Sequence, residues 1–181
     1  MAVNFSESRT KENLMRAFAG ESQARNRYTI AAERAEKEGM YTIADIFRYT
    51  ADQERAHAER YYDLLKALAG ETIHIDGSYP VDQQDSLPGL LRAAEHNEHE
   101  EYEDVYQAFG DTATEEGFHE AASAFYQIAE VEHVHEERFG RLAKLLEDGT
   151  YYGGGEVTKW MCTNCGYIHE GNQAPKYCPA C

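Results

Sequence analysis

The sequence predicts an all-α four-helix bundle with one long crossover, followed by a small C-terminal four-cysteine domain. Three observations carry this: apolar residues recur every three or four positions over four long stretches, a repeat appears at an offset of 78 residues, and all four cysteines lie within residues 162–181.

The first stretch ends at Gly39 and the second at Gly70; a connection then runs to about Leu87, the third stretch ends at Gly117, and the fourth stops near Gly149. Each helix is expected to hold roughly 28 residues, or ~42 Å at 1.5 Å per residue. Short turns at Gly39 and Gly117 make antiparallel neighbours, whereas the long connection must cross the end of the bundle. At the offset of 78, Glu38/Glu116, Gly39/Gly117, Ala44/Ala122, Phe47/Phe125, Ala51/Ala129, Glu54/Glu132, His57/His135, Arg60/Arg138 and Leu64/Leu142 coincide, so one helix pair is written twice. "TYYGGGEVTKW" (150–160) reads as a flexible linker, which divides the chain into a bundle at 1–150 and a four-cysteine domain at 151–181.

The chain of 181 residues suits one domain of about 150 residues with a small appendage. A formal charge of −16 argues against nucleic acid or an anionic membrane as partner. No window approaches the ~20 apolar residues of a membrane span, and the opening "MAVNFSESRTKENL" has no apolar signal core, so the expected location is cytoplasmic.

The apolar stripes hold the chemistry. The first helix offers Leu14, Ala17, Phe18, Glu21, Ala24, Tyr28 and Ala32, and the second Ile43, Phe47, Thr50, Glu54, His57, Tyr61, Leu64 and Leu68. The third offers Leu91, Ala94, Glu98, Glu101, Val105 and Ala108; the fourth, Ala121, Phe125, Ile128, Glu132, His135, Phe139, Leu142 and Leu146. Every stripe is interrupted near its middle by Glu. An unpaired carboxylate in a bundle core costs several kcal/mol (roughly), so something cationic should sit among these four.

Two of the four are followed by His at i+3, on the same helix face, in "QERAHAER" (53–60) and "VEHVHEER" (131–138). Bundles build dinuclear metal sites from this pattern: one carboxylate bridges two metals while its imidazole binds one. Glu130 and His133 repeat the spacing two residues away, about 200° round the helix, and are expected in solvent. Glu95 competes with Glu98, because both share a face with Tyr102. Surface positions are expected for His74, His96, His99, His119 and His169. Carboxylates with two imidazoles suit iron or manganese, zinc would give a structural or Lewis-acid site, and spacing alone does not choose.

Cys162, Cys165, Cys178 and Cys181 have the form C-x2-C-x12-C-x2-C, the signature of one tetrahedral four-thiolate metal site. Zinc and a single electron-carrying iron both fit it; disulfides suit a cytoplasmic chain poorly.

"FAGESQARNRY" around Glu21, "TADQERAHAERY" around Glu54, "EHEEY" around Glu98, and "CGYIHEG" with "APKYCPAC" together resemble the rubrerythrin family, over about residues 9–181. The resemblance implies a homodimeric, ferritin-like di-iron protein with a rubredoxin-like iron domain, which reduces hydrogen peroxide to water and protects against oxidative stress. By that resemblance Glu21 is a terminal ligand of the first iron, Glu54 and Glu132 are the bridges, and His135 and Glu98 bind the second iron, which favours Glu98 over Glu95. His57 and Glu101 would exchange on the first iron, His57 when reduced and Glu101 when oxidised. A ferric ion favours the anionic carboxylate and a ferrous ion accepts neutral imidazole. Tyr28 and Tyr102 are candidate donors to the ligands, with core packing as the alternative role.

The resemblance also makes iron, rather than zinc, the metal expected at the cysteines, as an electron inlet serving a dinuclear site across the dimer interface. Electrons would come from rubredoxin or an NAD(P)H-dependent reductase, since no G-x-G-x-x-G motif binds the nucleotide here. One departure concerns the final knuckle: the family commonly continues past the last cysteine with Gly, whose amide can donate to sulfur, whereas Cys181 is the last residue here. Cys181 is then either a native terminus, whose carboxylate adds negative charge beside the fourth ligand, or the edge of a trimmed domain. Two other classes compete with a peroxide reductase. An iron-storage protein oxidising ferrous ion with dioxygen would have no use for Glu101 or the cysteine site, and a structural zinc protein would hold no iron.

Overall fold

A computed structural model describes residues 3–181. The bundle consists of α1 (Arg9–Lys37), α2 (Tyr41–Leu64), α3 (Leu87–Glu100), a π-helical turn (Glu101–Val105), α4 (Tyr106–Glu116) and α5 (His119–Glu147). The π turn joins α3 to α4 without a break, so four long rods result. α1 packs on α2 and α3–α4 on α5, with the two hairpins face to face. Among the described residues no helix is long and apolar enough to cross a membrane.

Local chemistry sets the rod ends. Ser8 caps α1 by accepting from the Lys11 amide, and Ser86 caps α3 by accepting from Gly89. Gly39 and Gly117, at φ +76° and +87°, take the left-handed conformation that turns one rod into the next. The equivalence of the two hairpins extends to packing: Phe47 and Phe125 are both fully buried, as are Ala44 with Ala122 and Ala51 with Ala129.

The crossover between α2 and α3 carries no helix or strand from residue 71 to 84, yet side chains fasten it. Arg16 grips Asp76 at 2.7 Å. Arg27 pairs with Asp82, which also accepts from Asn97 at 2.8 Å, and Arg34 donates to the Asp85 carbonyl at 2.8 Å.

Two apolar clusters fill the bundle. One gathers Tyr28, Phe47, Leu91 and Phe139, and the other Leu14, Tyr61, Tyr106 and Phe125. Each large side chain so buried contributes about 1.5–3 kcal/mol.

The third rod departs from the uniform helical period. In the π turn the Tyr106 amide bonds back to the Glu101 carbonyl, five residues earlier, which inserts one residue into the ladder. Beyond it the buried positions are Tyr106, Gly110, Thr112 and Ala113, while Val105 is half-buried and Ala108 exposed. The expected stripe through Val105 and Ala108 is therefore corrected by the inserted residue, which advances the face by about 100°.

The expected linker is also corrected. Gly153–Met161 forms strand β1, antiparallel to β2 (Ile168–Gln173), with Thr158 opposite Gly171 and Trp160 opposite His169. Trp160 Nε1 donates to the Gly171 carbonyl at 3.0 Å. The pairing uses Thr158 and Trp160, residue types that favour strands, and an irregularity between Gly153 and Thr158 absorbs the glycine run.

Candidate metal centre

Glu21 from α1, Glu54 and His57 from α2, Glu98 from α3, and Glu132 and His135 from α5 converge between the two apolar clusters. Their burial is extreme, since all four glutamates and His135 are 0–1 % exposed. His57 differs, with 12 % of its side chain exposed.

The contacts sort into two sets. Around His57 Nδ1 lie Glu132 Oε1 at 3.0 Å, Glu54 Oε2 at 3.3 Å and Glu21 Oε2 at 3.8 Å. Around His135 Nδ1 lie Glu132 Oε2 at 2.8 Å, Glu54 Oε1 at 3.1 Å and Glu98 Oε2 at 3.6 Å. Within each set the ligand atoms lie within 4.8 Å of one another. Glu54 and Glu132 give one oxygen to each set, as a pair of bridging carboxylates would.

Those eight atoms are also buried without a hydrogen-bond partner. Buried and unsatisfied, each polar group costs about 1–3 kcal/mol, and charged ones more. Two cations placed among four carboxylates and two imidazoles satisfy all eight, so the residues fit a dinuclear metal group.

Electrostatics describes the same demand for cations. Burial, then the neighbouring Glu132, drives the Glu21 carboxyl well above the usual carboxylate range. Burial and Glu54 hold Glu98 up to about 8. For Glu54 burial is outweighed by contacts from His135 and His57, which lower it to about 2. His135 resists burial in the same way, through Glu132, Glu54 and Glu98, and rises to about 12.

Two tyrosines clamp the terminal carboxylates. Tyr28 Oη donates to Glu98 Oε1, and Tyr106 Oη donates to Glu21 Oε1 at 2.5 Å. Each tyrosine reaches from one half of the repeat to the other. Tyr28 plus the 78-residue offset is Tyr106, whereas Glu21 and Glu98 are 77 apart; the residue inserted by the π turn makes up the difference. Sequence reasoning passed over Tyr106 because a uniform period carried the stripe past it; the repeat offset, applied to Tyr28, was the available signal.

Tyr102 lies elsewhere. Its ring stacks on His133 at 4.5 Å, and it makes no side-chain hydrogen bond among the described residues. Glu95 pairs with Arg92 at 2.7 Å, outside both ligand sets. Glu130 is exposed, and His133 is half-exposed and pairs with Glu136 at 3.0 Å.

Glu101 opens the π turn and is half-buried. It stands outside the two four-atom sets, but burial and the charges of Glu21, Glu98, Glu132 and Glu54 push its carboxyl well up. A further pair missed from the sequence supports His135: Gln53 Oε1 lies 3.2 Å from His135 Nε2 and accepts from Arg138 at 3.0 Å. A glutamine carbonyl so held requires the hydrogen on Nε2, leaving Nδ1 as the free donor atom toward the site.

At the other end of the chain Cys162, Cys165, Cys178 and Cys181 place their sulfurs within 4.8 Å of one another. Cys162–Cys181 and Cys165–Cys178 are 3.7 and 3.6 Å apart. Disulfides need about 2.05 Å, whereas tetrahedral metal–sulfur bonds of ~2.3 Å give edges near ~3.8 Å. Backbone amides of Cys165 and Asn164 lower the Cys162 thiol to about 7. The Ala180 amide and the Asn164 side chain donate to Cys178 and Cys181 sulfurs, each at 3.4 Å. Cys165 and Cys181 are exposed, so this site meets solvent.

Fold and sites together define a class: a ferritin-like bundle with a carboxylate-bridged dinuclear metal centre and its own four-thiolate site. A family model described as Rubrerythrin matches residues 12–143, and one described as Rubrerythrin, rubredoxin-like domain, matches residues 160–181. The rubrerythrin of Clostridium perfringens is 49% identical over 176 residues, covering 96% of this chain and 90% of that protein. The structure of fully reduced, all-ferrous nigerythrin, 30% identical, aligns with a TM-score of 0.68 over 99% of this chain and 89% of its own. A bacterioferritin of Desulfovibrio desulfuricans shares the bundle, at a TM-score of 0.67 and 24% identity over 77% of this chain and 80% of its own. The chain belongs to the rubrerythrin family. Its carboxylate and imidazole cluster is a di-iron site, and its four-cysteine cluster is a rubredoxin-like iron site.

Proposed function

We propose that this protein is a hydrogen peroxide reductase that protects the cell from oxidative stress. The observation that carries the reading is Glu101, a half-buried carboxyl that feels the charges of Glu21, Glu98, Glu132 and Glu54 and lies beyond the two ligand sets that iron oxidation alone requires. The ligands of the first iron are Glu21, Glu54, Glu132 and either His57 or Glu101; those of the second are Glu54, Glu98, Glu132 and His135. Cys162, Cys165, Cys178 and Cys181 hold the third iron.

When bound, the iron pair supplies two electrons, one from each ion, which with two protons convert peroxide to two waters. The chain supplies position and protons. Glu54 and Glu132 set the spacing of the pair. Tyr28 and Tyr106 hold their hydroxyl hydrogens on Glu98 and Glu21, so neither terminal carboxylate swings. Burial and the neighbouring carboxylates favour the protonated form of Glu101, so it would be placed to hold a proton while His57 held the metal. Tyr102, stacked on His133, contributes packing in this reading rather than a proton.

The working division is a bundle of residues 1–150 and an electron-inlet domain of 151–181, in a cytoplasmic homodimer where each inlet serves the partner's dinuclear centre. Rubredoxin or an NAD(P)H-dependent reductase supplies the electrons. The test is anaerobic: the iron-loaded, fully reduced protein is mixed with one equivalent of peroxide while the visible band of the ferric four-thiolate site is followed. The band is expected to appear far faster with peroxide than with dioxygen. A faster reaction with dioxygen, with many irons accumulating per chain, would establish iron storage instead.

A further inference from the structure

A cavity of about 220 Å3 lies between the crossover and α1, lined among others by Arg16, Gly20, Tyr79, Asn97, Glu101 and Tyr106. One of these touches the metal centre as well, since Tyr106 donates to Glu21 at 2.5 Å, and Glu101 opens the π turn that leads into it. Glu21, Glu54, Glu98, Glu132 and His135 are closed to solvent. A small molecule must therefore pass side chains at the rim of the centre, of which Glu101 and Tyr106 line this cavity and His57 is partly exposed.

We propose that this cavity is the entrance to the dinuclear centre and that Tyr79, lying over Gly20, limits the size of oxidant admitted. Hydrogen peroxide passes; bulky alkyl hydroperoxides do not. The identity of the oxidant rests on the peroxide-reductase reading, whereas the entrance itself does not.

Three features support a side-chain gate. Tyr79 is 44 % exposed, and its only hydrogen bond among the described residues is a long one, 3.5 Å to the Arg16 carbonyl. The crossover is fastened on both sides of it, by Arg16 to Asp76 and by Arg27 to Asp82, so the ring can rotate while the backbone stays. Glycines make the room. A Cβ on Gly77 would lie 3.0–3.2 Å from the Tyr79 ring, and one on Gly20 would lie 3.9 Å from Tyr79 Cε1. A methyl at Gly20 is tolerated, while a longer side chain there fills the cavity. The volume is several times the ~30 Å3 share of a liquid water molecule, ample for a molecule of two oxygens.

The test uses Tyr79→Ala and Gly20→Leu with two readouts. Azide association with the Co2+-loaded dinuclear centre, followed by visible absorption, reports access without turnover. Oxidation of the ferrous protein by hydrogen peroxide and by tert-butyl hydroperoxide reports selectivity. Tyr79→Ala should speed azide association and tert-butyl hydroperoxide oxidation by about tenfold, and Gly20→Leu should slow azide and hydrogen peroxide by about tenfold. Tyr79 sits on the surface, so its variant folds even if Gly20→Leu does not. Unchanged azide association in Tyr79→Ala would overturn the proposal and move the entrance to the His57 edge. Azide responding while wild-type protein ignores hydrogen peroxide would support the entrance and overturn the peroxide-reductase reading.

Discussion

The two halves of the metal centre come from one duplicated helix pair, yet they are held differently. On the Glu98/His135 side, His135 is fully buried and its outer nitrogen faces Gln53, itself gripped by Arg138. On the Glu21/His57 side, His57 is partly exposed and no hydrogen bond among the described residues fixes its outer nitrogen. The lesson is that duplication supplies two equal ligand sets, and only what surrounds them makes one a fixed anchor and the other a candidate for exchange. The asymmetry has two sources: the repeat counterpart of Gln53 is Val131, which offers His57 no acceptor, and the π turn that opens at Glu101 occurs in the third rod while α1, its repeat counterpart, is regular.

The comparison is broken most completely by Glu132→Ala or Glu54→Ala, which takes an oxygen from both halves at once. Affinity for both dinuclear metals is expected to fall by more than about 100-fold, beyond the range for loss of a residue that merely orients a ligand. Elemental analysis and the four-thiolate absorbance check this, the latter staying unchanged. Glu101→Ala should instead keep both ferrous ions and lose peroxide turnover, because it removes a group from the variable half only.

A second substitution makes the halves alike. Gln53→Ala frees the outer nitrogen of His135, and metal affinity at that half is expected to drop by about 10-fold or somewhat more. Stepwise Co2+ titration resolves the two halves. If both steps keep their wild-type affinity, the anchoring role given to Gln53 fails.

Where the halves are truly equivalent, substitutions should match. Tyr28→Phe and Tyr106→Phe each leave a buried carboxylate oxygen short of one donor, a loss of about 1–3 kcal/mol. Each is expected to weaken one metal step by about tenfold, with equal magnitude and opposite half.

The smallest effect concerns pH in the metal-free protein. Glu98 is raised to about 8, so its contribution to stability is complete below its unfolded pKa of about 4.3 and is lost as pH climbs through 8. His135, raised to about 12, gains its partners' support as a cation; that contribution is complete below about 6.5 and fades as pH rises toward 12. Both act in one direction. The melting temperature of the metal-free protein should fall from pH 5 to 8.5, and bound Co2+ should flatten the slope by displacing these protons. A flat or rising melting temperature over this range would overturn the expectation, because Glu54, lowered to about 2, is ionised throughout it and adds slope only at lower pH.

Much of this was legible in one dimension. Periodicity marked four rods, glycines marked their turns, and carboxylates interrupting apolar stripes marked a cation site, because burial of charge is costly wherever it occurs. The repeat tied Glu54/His57 to Glu132/His135, which the structure brings within a few ångströms. What escaped were features with no local cost. Tyr106 reads as an ordinary aromatic until the inserted residue turns it inward. Gln53 and Arg138 read as ordinary polar positions until α2 meets α5. The strand Gly153–Met161 was hidden behind its three glycines, since a hairpin is stabilised by its partner rather than by its own propensity.

The sequence alone determined which residues carry the chemistry here, because residue type and helical spacing decide which side chains share a face and whether they can bind metal. The tertiary structure alone decided how those faces are phased. A one-residue π insertion changes no composition and no motif, yet it rotates half a helix by about 100°. That rotation seats Tyr106 on Glu21 and helps shape the cavity under Tyr79, since hydrogen bonding in the backbone ladder, unlike amphipathic pattern, is settled only when the rods pack together.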